Sequence, residues 1–232
     1  MSEPEKYLGV NVHTRFFKIY SWFVYYLTHY TLRIVFWLYF RIEIVNPPRI
    51  LKNQPVIIAG NHVSMLDPPL AGVSSGYRMW FLARQTLMRK TWAKWLLLAL
   101  DCIPLDREGA DIRSIRRVIN NLKQGRSVVM FPEGTRSSDG RLQPMKAGLG
   151  FIVHKAQVPV IVTYIHGAHQ AMPKGTRMIF PKKIIVEFSN PIYFNELYTQ
   201  KGSEEIYRTI ADQVGTVLHI LEKKYISANI GS

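Results

Sequence analysis

The sequence predicts an α/β fold: a mixed, mostly parallel central sheet flanked by helices, behind an N-terminal helical segment of membrane character. Three observations carry this reading. Short apolar runs bounded by Pro, Gly or charged residues alternate with stretches of helical spacing. At 232 residues, the chain is long enough for one substantial core, with no Pro/Gly/Ser-rich linker to divide it. The stretch from Phe16 to Phe40 is dense in Trp, Tyr, Phe, Ile and Val, whereas the rest is mixed. The expected division is therefore residues 1–41 as a membrane-interface anchor and 42–232 as the α/β domain.

The anchor is read first. Lys18 and Arg33 interrupt its apolar run, and the stretch between them is shorter than the ~20 residues a spanning helix needs. Trp and Tyr favour the headgroup level, and flanking Lys or Arg can snorkel. One long helix or two shorter ones lying in a single leaflet, a monotopic attachment on the cytoplasmic face, follows. A tilted single span is the alternative. Glu3 and Glu5 spoil the basic region a secretory signal needs.

Seven runs read as strands: Ile42–Val45, Val56–Ala59, Met79–Ala83, Cys102–Leu105, Ser127–Phe131, Val160–Ile165 and Ile184–Phe188. Ile112, Ile115, Ile119 and Leu122 make a helical apolar stripe, with Gly125 suited to its C-terminal end. Residues 149–157 read as a helix. Ile206, Ile210, Val214, Val217 and Leu221 line a last helix, with Glu204 and Glu205 in its first turn and Lys223 and Lys224 in its last, as the helix dipole favours.

The net charge is +14, which implies an anionic partner: nucleic acid, an acidic membrane surface or a phosphate-bearing substrate. Arg78, Arg84, Arg89, Lys90 and Lys94 interleave with Trp80, Phe81, Trp92 and Trp95. No nucleic-acid recognition motif accompanies them, and basic residues beside Trp suit an anionic bilayer, so no nucleic acid is expected. A single cysteine, Cys102, excludes an internal disulfide framework.

Two stretches carry chemistry, each at a predicted strand end. In Asn61-His62-Val63-Ser64-Met65-Leu66-Asp67, a histidine precedes a carboxylate by five residues. A carboxylate can hold one ring nitrogen and leave the other to take a proton. In a regular helix the two side chains would point about 140° apart. They can meet if His62 lies in the loop and a helix begins near Asp67, with Asp67 as its cap and Pro68 in its first turn. In Phe131-Pro132-Glu133-Gly134-Thr135-Arg136-Ser137, a buried strand opens into a turn carrying a carboxylate, two hydroxyls and a guanidinium. Arg forks match phosphate oxygens, and the Gly134-Thr135 amides could add donors. Together they suggest a phosphate-bearing substrate whose hydroxyl loses a proton.

Asn61–Asp67 and Phe131–Ser137 resemble the first and third signature blocks of the glycerophospholipid acyltransferases, most closely the 1-acylglycerol-3-phosphate (lysophosphatidate) acyltransferases. Ile103-Pro104-Leu105-Asp106-Arg107 is similar to the second block and Val158–Val162 to the fourth, in the family's order, across roughly residues 42 to 192. The resemblance implies transfer of an acyl group from acyl-CoA or acyl carrier protein to lysophosphatidate, giving phosphatidate in phospholipid biosynthesis. It implies His62 as general base, Asp67 fixing its tautomer, and Glu133, Gly134, Thr135 and Arg136 as the acceptor-binding block, with Arg136 on the phosphate. Arg107 is expected to add a second cation, Asn61 and Ser64 to order the His62 loop or donate toward the oxyanion, and Lys146 to be a further phosphate candidate. No cofactor is expected beyond the acyl thioester co-substrate, and no metal, because the nucleophile is the substrate's own alcohol. Acylation of glycerol-3-phosphate or another lysolipid remains an alternative, as does a membrane lipid-binding protein without turnover.

Other patterns read without chemistry. Gly72-Val73-Ser74-Ser75-Gly76 matches the serine-hydrolase elbow, but a helix precedes it and a strand follows, the reverse of what the elbow needs. His166 and His169 have helical metal spacing but leave a strand through Gly167 without a nearby third ligand. The run Trp95–Leu100 is either helix core or lining for an acyl chain.

Overall fold

A computed structural model describes residues 6–7, 10–48, 54–105 and 112–228. Arg107 lies outside them. A two-strand hairpin, β1 (Lys6–Tyr7) and β2 (Val10–Asn11), leads into α1 (Arg15–Phe40). Thr14 caps α1 by accepting the Phe17 N–H, and Arg41 closes it in the left-handed region at φ 47°.

The sheet contains β3 (Glu43–Val45), β4 (Ile57–Gly60), β5 (Met79–Arg84), β6 (Cys102–Leu105), β7 (Ser127–Met130), β8 (Val160–His166) and β9 (Ile185–Phe188). Its order is β3-β9-β8-β4-β7-β5-β6. Every neighbouring pair is parallel except β8 with β9. The predicted mixed, mostly parallel sheet is therefore present, with β3 and β9 reversed at one edge.

Central β4 shows why the sheet needs cover on both faces. Ile57 and Ala59 enter one apolar cluster and Ile58 enters the other, each with 0% exposure. The first cluster is closed by α4 (Ile112–Lys123), α5 (Gly148–Ala156) and α8 (Glu204–Ala228). The second is closed by α2 (Asp67–Ser75) and the last turns of α1 through Phe36 and Phe40. A smaller cluster joins Phe17 of α1 to Leu98 of α3 (Thr91–Ala99), so the Trp95–Leu100 run packs as helix core through Leu98. Short helices α6 (Ala168–Ala171) and α7 (Asn195–Tyr198) complete the chain.

Three local expectations are corrected. Ile112 is 65% exposed and drops out of the predicted stripe of α4, whereas Ile115, Ile119 and Leu122 do pack against the core, joined by buried Val118. α8 runs on to Ala228, so Lys223 and Lys224 are not in its last turn. Lys224 serves another need there, donating to both oxygens of buried Glu187 on β9 at 2.8 and 2.9 Å. Asp67 does not cap α2 from outside but occupies its first turn and turns its carboxylate back toward the loop.

The outer face of α1 carries Ile19, Phe23, Leu27, Tyr30, Ile34 and Trp37, each between 57% and 65% exposed. Their spacing of three and four residues makes one stripe along a helix of about 39 Å. Among the described residues, no helix is long and apolar enough to cross a membrane.

Candidate active site

Strands β4 and β7 lie side by side in parallel, with Ala59 opposite Met130. Their C-terminal ends therefore deliver the two motifs to one place, where ligands of open α/β sheets sit. His62 stands two residues past β4 and Glu133 three past β7.

His62 Nδ1 is hydrogen-bonded to Asp67 Oδ2 at 2.9 Å. The same oxygen accepts the backbone N–H groups of Val63 and Ser64, both at 2.7 Å. The loop thus bends back on its own helix start, which is how a five-residue spacing brings the two side chains together. Asp67 has no exposure, and burial raises its pKa above the usual carboxylate range. The His62 bond, the Ser64 and Val63 amides and the imidazole charge pull the other way. With Nδ1 committed, Nε2 is the nitrogen left to exchange a proton with a ligand. The ring stacks on Phe131, centroids 4.3 Å apart and 18° from parallel, which fixes its plane.

The third-block turn grips the same histidine by its backbone. Glu133 Oε1 accepts the His62 N–H at 2.6 Å, and the His62 carbonyl accepts the Ser137 N–H at 2.7 Å. Glu133 Oε2 accepts the Gln143 N–H at 3.0 Å. Glu133 is only 2% exposed, so within the predicted acceptor-binding block it is a brace, not a surface for ligand. Burial is the largest influence on its carboxyl and pushes the pKa up to about 7, against the two amides.

The exposed part of the turn is Gly134, Thr135 and half-buried Arg136. Among the described residues, neither the Thr135 hydroxyl nor the Arg136 guanidinium is taken by a protein partner. Lys174 Nζ donates to the Arg136 carbonyl at 2.7 Å and adds a cation to the rim. Gly134 sits at φ 74°, and the Lys146 Nζ lies 2.7 Å from where a Cβ would stand. The left-handed backbone favours glycine there, and the flexible end of Lys146 lies across it. Exposed Lys146 therefore belongs to the rim with Arg136.

Asn61 and Ser64 are brought to the site but are spent on the loop. The Asn61 amide exchanges two bonds with the Ile165 backbone, at 2.7 and 3.1 Å, tying β4 to β8. The Ser64 hydroxyl donates to the Met172 carbonyl and accepts from Leu66 N. Of the two roles considered for them, the geometry matches ordering the loop. Phe131, Gln143 and Lys174 had no signal in the sequence, because each acts through a ring face, a backbone amide or a distant loop. Ser74 and Ser75 lie buried within α2, away from any elbow. His166 and His169 gain no cluster of metal-ligating residues among the described residues.

The Acyltransferase family model matches residues 41–166, more than half of the chain and all of both motifs. The chain is 32% identical over 146 residues to the chloroplastic 1-acyl-sn-glycerol-3-phosphate acyltransferase BAT2 of Brassica napus, covering 61% of this chain and 42% of that enzyme. It is 27% identical over 187 residues to the probable 1-acyl-sn-glycerol-3-phosphate acyltransferase of Mycoplasma pneumoniae, covering 74% and 70%. The chain thus spans less than half of the plant relative and about two thirds of the bacterial one. Its fold is similar to the crystal structure of the 1-acyl-sn-glycerophosphate acyltransferase PlsC of Thermotoga maritima, with a TM-score of 0.72 and 26% identity, covering 90% of this chain and 84% of that one.

Proposed function

Because the chain belongs to the Acyltransferase family, we propose that it is a 1-acyl-sn-glycerol-3-phosphate O-acyltransferase, moving an acyl group from acyl-CoA or acyl carrier protein to lysophosphatidate to give phosphatidate. The observation that carries the reading is the clamp on His62. Its ring is fixed by Asp67, and its backbone N–H and carbonyl are both held by the turn that presents Arg136. A proton acceptor and an anion-binding rim are thereby set in one rigid unit.

The reaction follows from that arrangement. Arg136, with Lys146 and Lys174 on the rim, holds the phosphate of the acceptor. His62 Nε2 takes the proton of its free hydroxyl as the oxygen attacks the thioester carbonyl carbon. The C–S bond then breaks, and the imidazolium returns the proton to the departing thiolate. Asp67 keeps the imidazole in the tautomer with Nδ1–H and stabilises the imidazolium; such a base is worth about 10²–10⁴-fold in rate. The acyl thioester is a co-substrate, and this sequence of steps calls on no other cofactor.

A bilayer supplies a lipid acceptor, and the exposed stripe of α1 suits one. We infer a monotopic attachment in which that stripe lies among the headgroups, helped by the surplus of 30 Lys and Arg over 16 Asp and Glu.

Purified protein given an acyl-CoA and labelled lysophosphatidate, beside glycerol-3-phosphate and other lysolipids, tests the activity. The expected outcome is preferred acylation of lysophosphatidate. His62→Ala should keep acceptor binding but lose about 10²–10⁴-fold in kcat, whereas Arg136→Ala should chiefly raise KM. Equal activity in all three proteins would refute both role assignments.

A further inference from the structure

A cavity lies at the opposite end of the sheet from His62. Its volume is about 760 Å³, within the scale of ligand sites. Arg78, Asp101 and Arg126 precede β5, β6 and β7, so they sit where the parallel strands begin. The way along β7 from Ser127 to Glu133 is about 20 Å.

The cavity is basic on one side and apolar on the other. Two guanidiniums stand against the Trp80 ring, Arg126 at 5.3 Å and Arg78 at 5.5 Å from its centroid. Asp101 neutralises Arg78, at 2.7 and 3.2 Å. Half-buried Arg126 donates to Asn121 Oδ1 at 2.9 Å and lies within the field of the Asp101 carboxylate, but among the described residues neither it nor Lys18 forms an ion pair, so one carboxylate faces three cations. Phe17 and Leu98 supply the apolar wall. The rim is Lys18 and Trp22 of α1, neighbours in sequence of Ile19 and Phe23 on the exposed stripe.

We propose that this cavity binds the headgroup of an anionic phospholipid, apart from the acceptor site. The phosphate would sit against Arg126 and Lys18, with the glycerol end of the lipid leaving past Trp22 onto the α1 stripe. A headgroup fits better than free phosphate, because half of the lining is apolar and the mouth opens beside the face assigned to the bilayer. The proposal rests on that bilayer reading of α1. Its consequence is that anionic lipid seats the enzyme on the membrane through a built site, in addition to diffuse attraction.

Phosphatidylglycerol is the probe, since as a phosphodiester it is not the proposed acceptor. Binding is measured to phosphatidylcholine vesicles with and without phosphatidylglycerol, and by calorimetry to soluble dihexanoyl phosphatidylglycerol and to inorganic phosphate. Wild type should bind the mixed vesicles more tightly. Arg126→Gln should lose about tenfold or more of that gain, and Lys18→Gln, an exposed position that leaves the fold intact, should weaken it in the same direction. Arg15→Gln, an exposed charge at the start of α1 outside the cavity lining, should cost no more than the ~1 kcal/mol, about fivefold, of a diffuse surface contact. The soluble lipid should bind wild type and His62→Ala alike and be lost in Arg126→Gln, with turnover on soluble substrate unchanged. An equal loss in Arg15→Gln, or phosphate binding as tight as that of the soluble lipid, overturns the site. Wild type that ignores every vesicle while its turnover persists overturns the bilayer reading and the headgroup proposal with it, but not the acyl transfer.

Discussion

Two aspartates, buried Asp67 and largely covered Asp101, stand at opposite ends of the sheet, and their partners make them different devices. Asp67 follows β4 and gives one oxygen to an imidazole and two backbone amides. Asp101 precedes β6 and gives both oxygens to a guanidinium. Burial raises the pKa of each, that of Asp101 to about 6. The Arg78 charge is permanent, so the Asp101 pair can only hold, fixing α1 to the sheet through a further bond from Arg78 to Ser21. The imidazole can gain or lose its charge, so the Asp67 pair can cycle. Burial alone therefore does not distinguish the carboxylate assigned to the proposed reaction; its titratable partner at the strand's C-terminal end does.

The largest expected effect is at Asp67. Asp67→Asn keeps an acceptor for the Val63 and Ser64 amides but removes the charge that stabilises the imidazolium. The expected loss is about 10²–10⁴-fold in kcat with KM little changed, read by steady-state kinetics. Asp101→Asn should do the reverse, leaving kcat within about twofold while lowering stability by about 3 kcal/mol, read by urea denaturation. The figure is at the low end for a broken buried pair because the Arg78 side chain remains 30% exposed. Asn also tolerates the left-handed backbone of residue 101, at φ 58°, so strain does not confuse the result. Adding Arg78→Gln should recover part of the loss, since the stranded charge goes too. If Asp101→Asn abolished turnover, the distinction between holding and cycling would fail.

Much of this is legible in the sequence. All seven strands appear where apolar runs predicted them, with ends shifted by about one residue, because such runs are local and bounded by Pro, Gly or charge. His62 and Asp67 were readable as a pair because Pro68 marks where the helix must start. The reversal of β9 and the strand order were not readable, since they depend on contacts between distant segments. The inward turn of Glu133 was equally hidden, because its partners are backbone groups of His62 and Gln143, and backbone amides leave no trace in residue type. The Arg78–Asp101 brace was hidden as well, because its partners stand 23 residues apart and Arg78 reads in sequence as one of the basic residues suited to an anionic bilayer.

The smallest expected effect sharpens the comparison, because Glu133 is a buried acid that neither cycles nor meets a cation. Its folded pKa of about 7 lies above the usual value of 4.5. The folded state therefore holds the proton more tightly between those limits, and ionising Glu133 costs stability as pH rises through that window. Glutamine imitates the protonated acid and pays no such cost. Glu133→Gln should thus be destabilised at about pH 5 by one to two kcal/mol, since an amide N–H now faces a backbone donor. That deficit should shrink as pH rises to 7, and denaturation at four or five pH values would show it. A deficit that instead grew toward pH 7 would mean that the two amides outweigh burial. Glu133 would then be a stabilising carboxylate, and its hold on His62 would tighten with pH instead of straining against it.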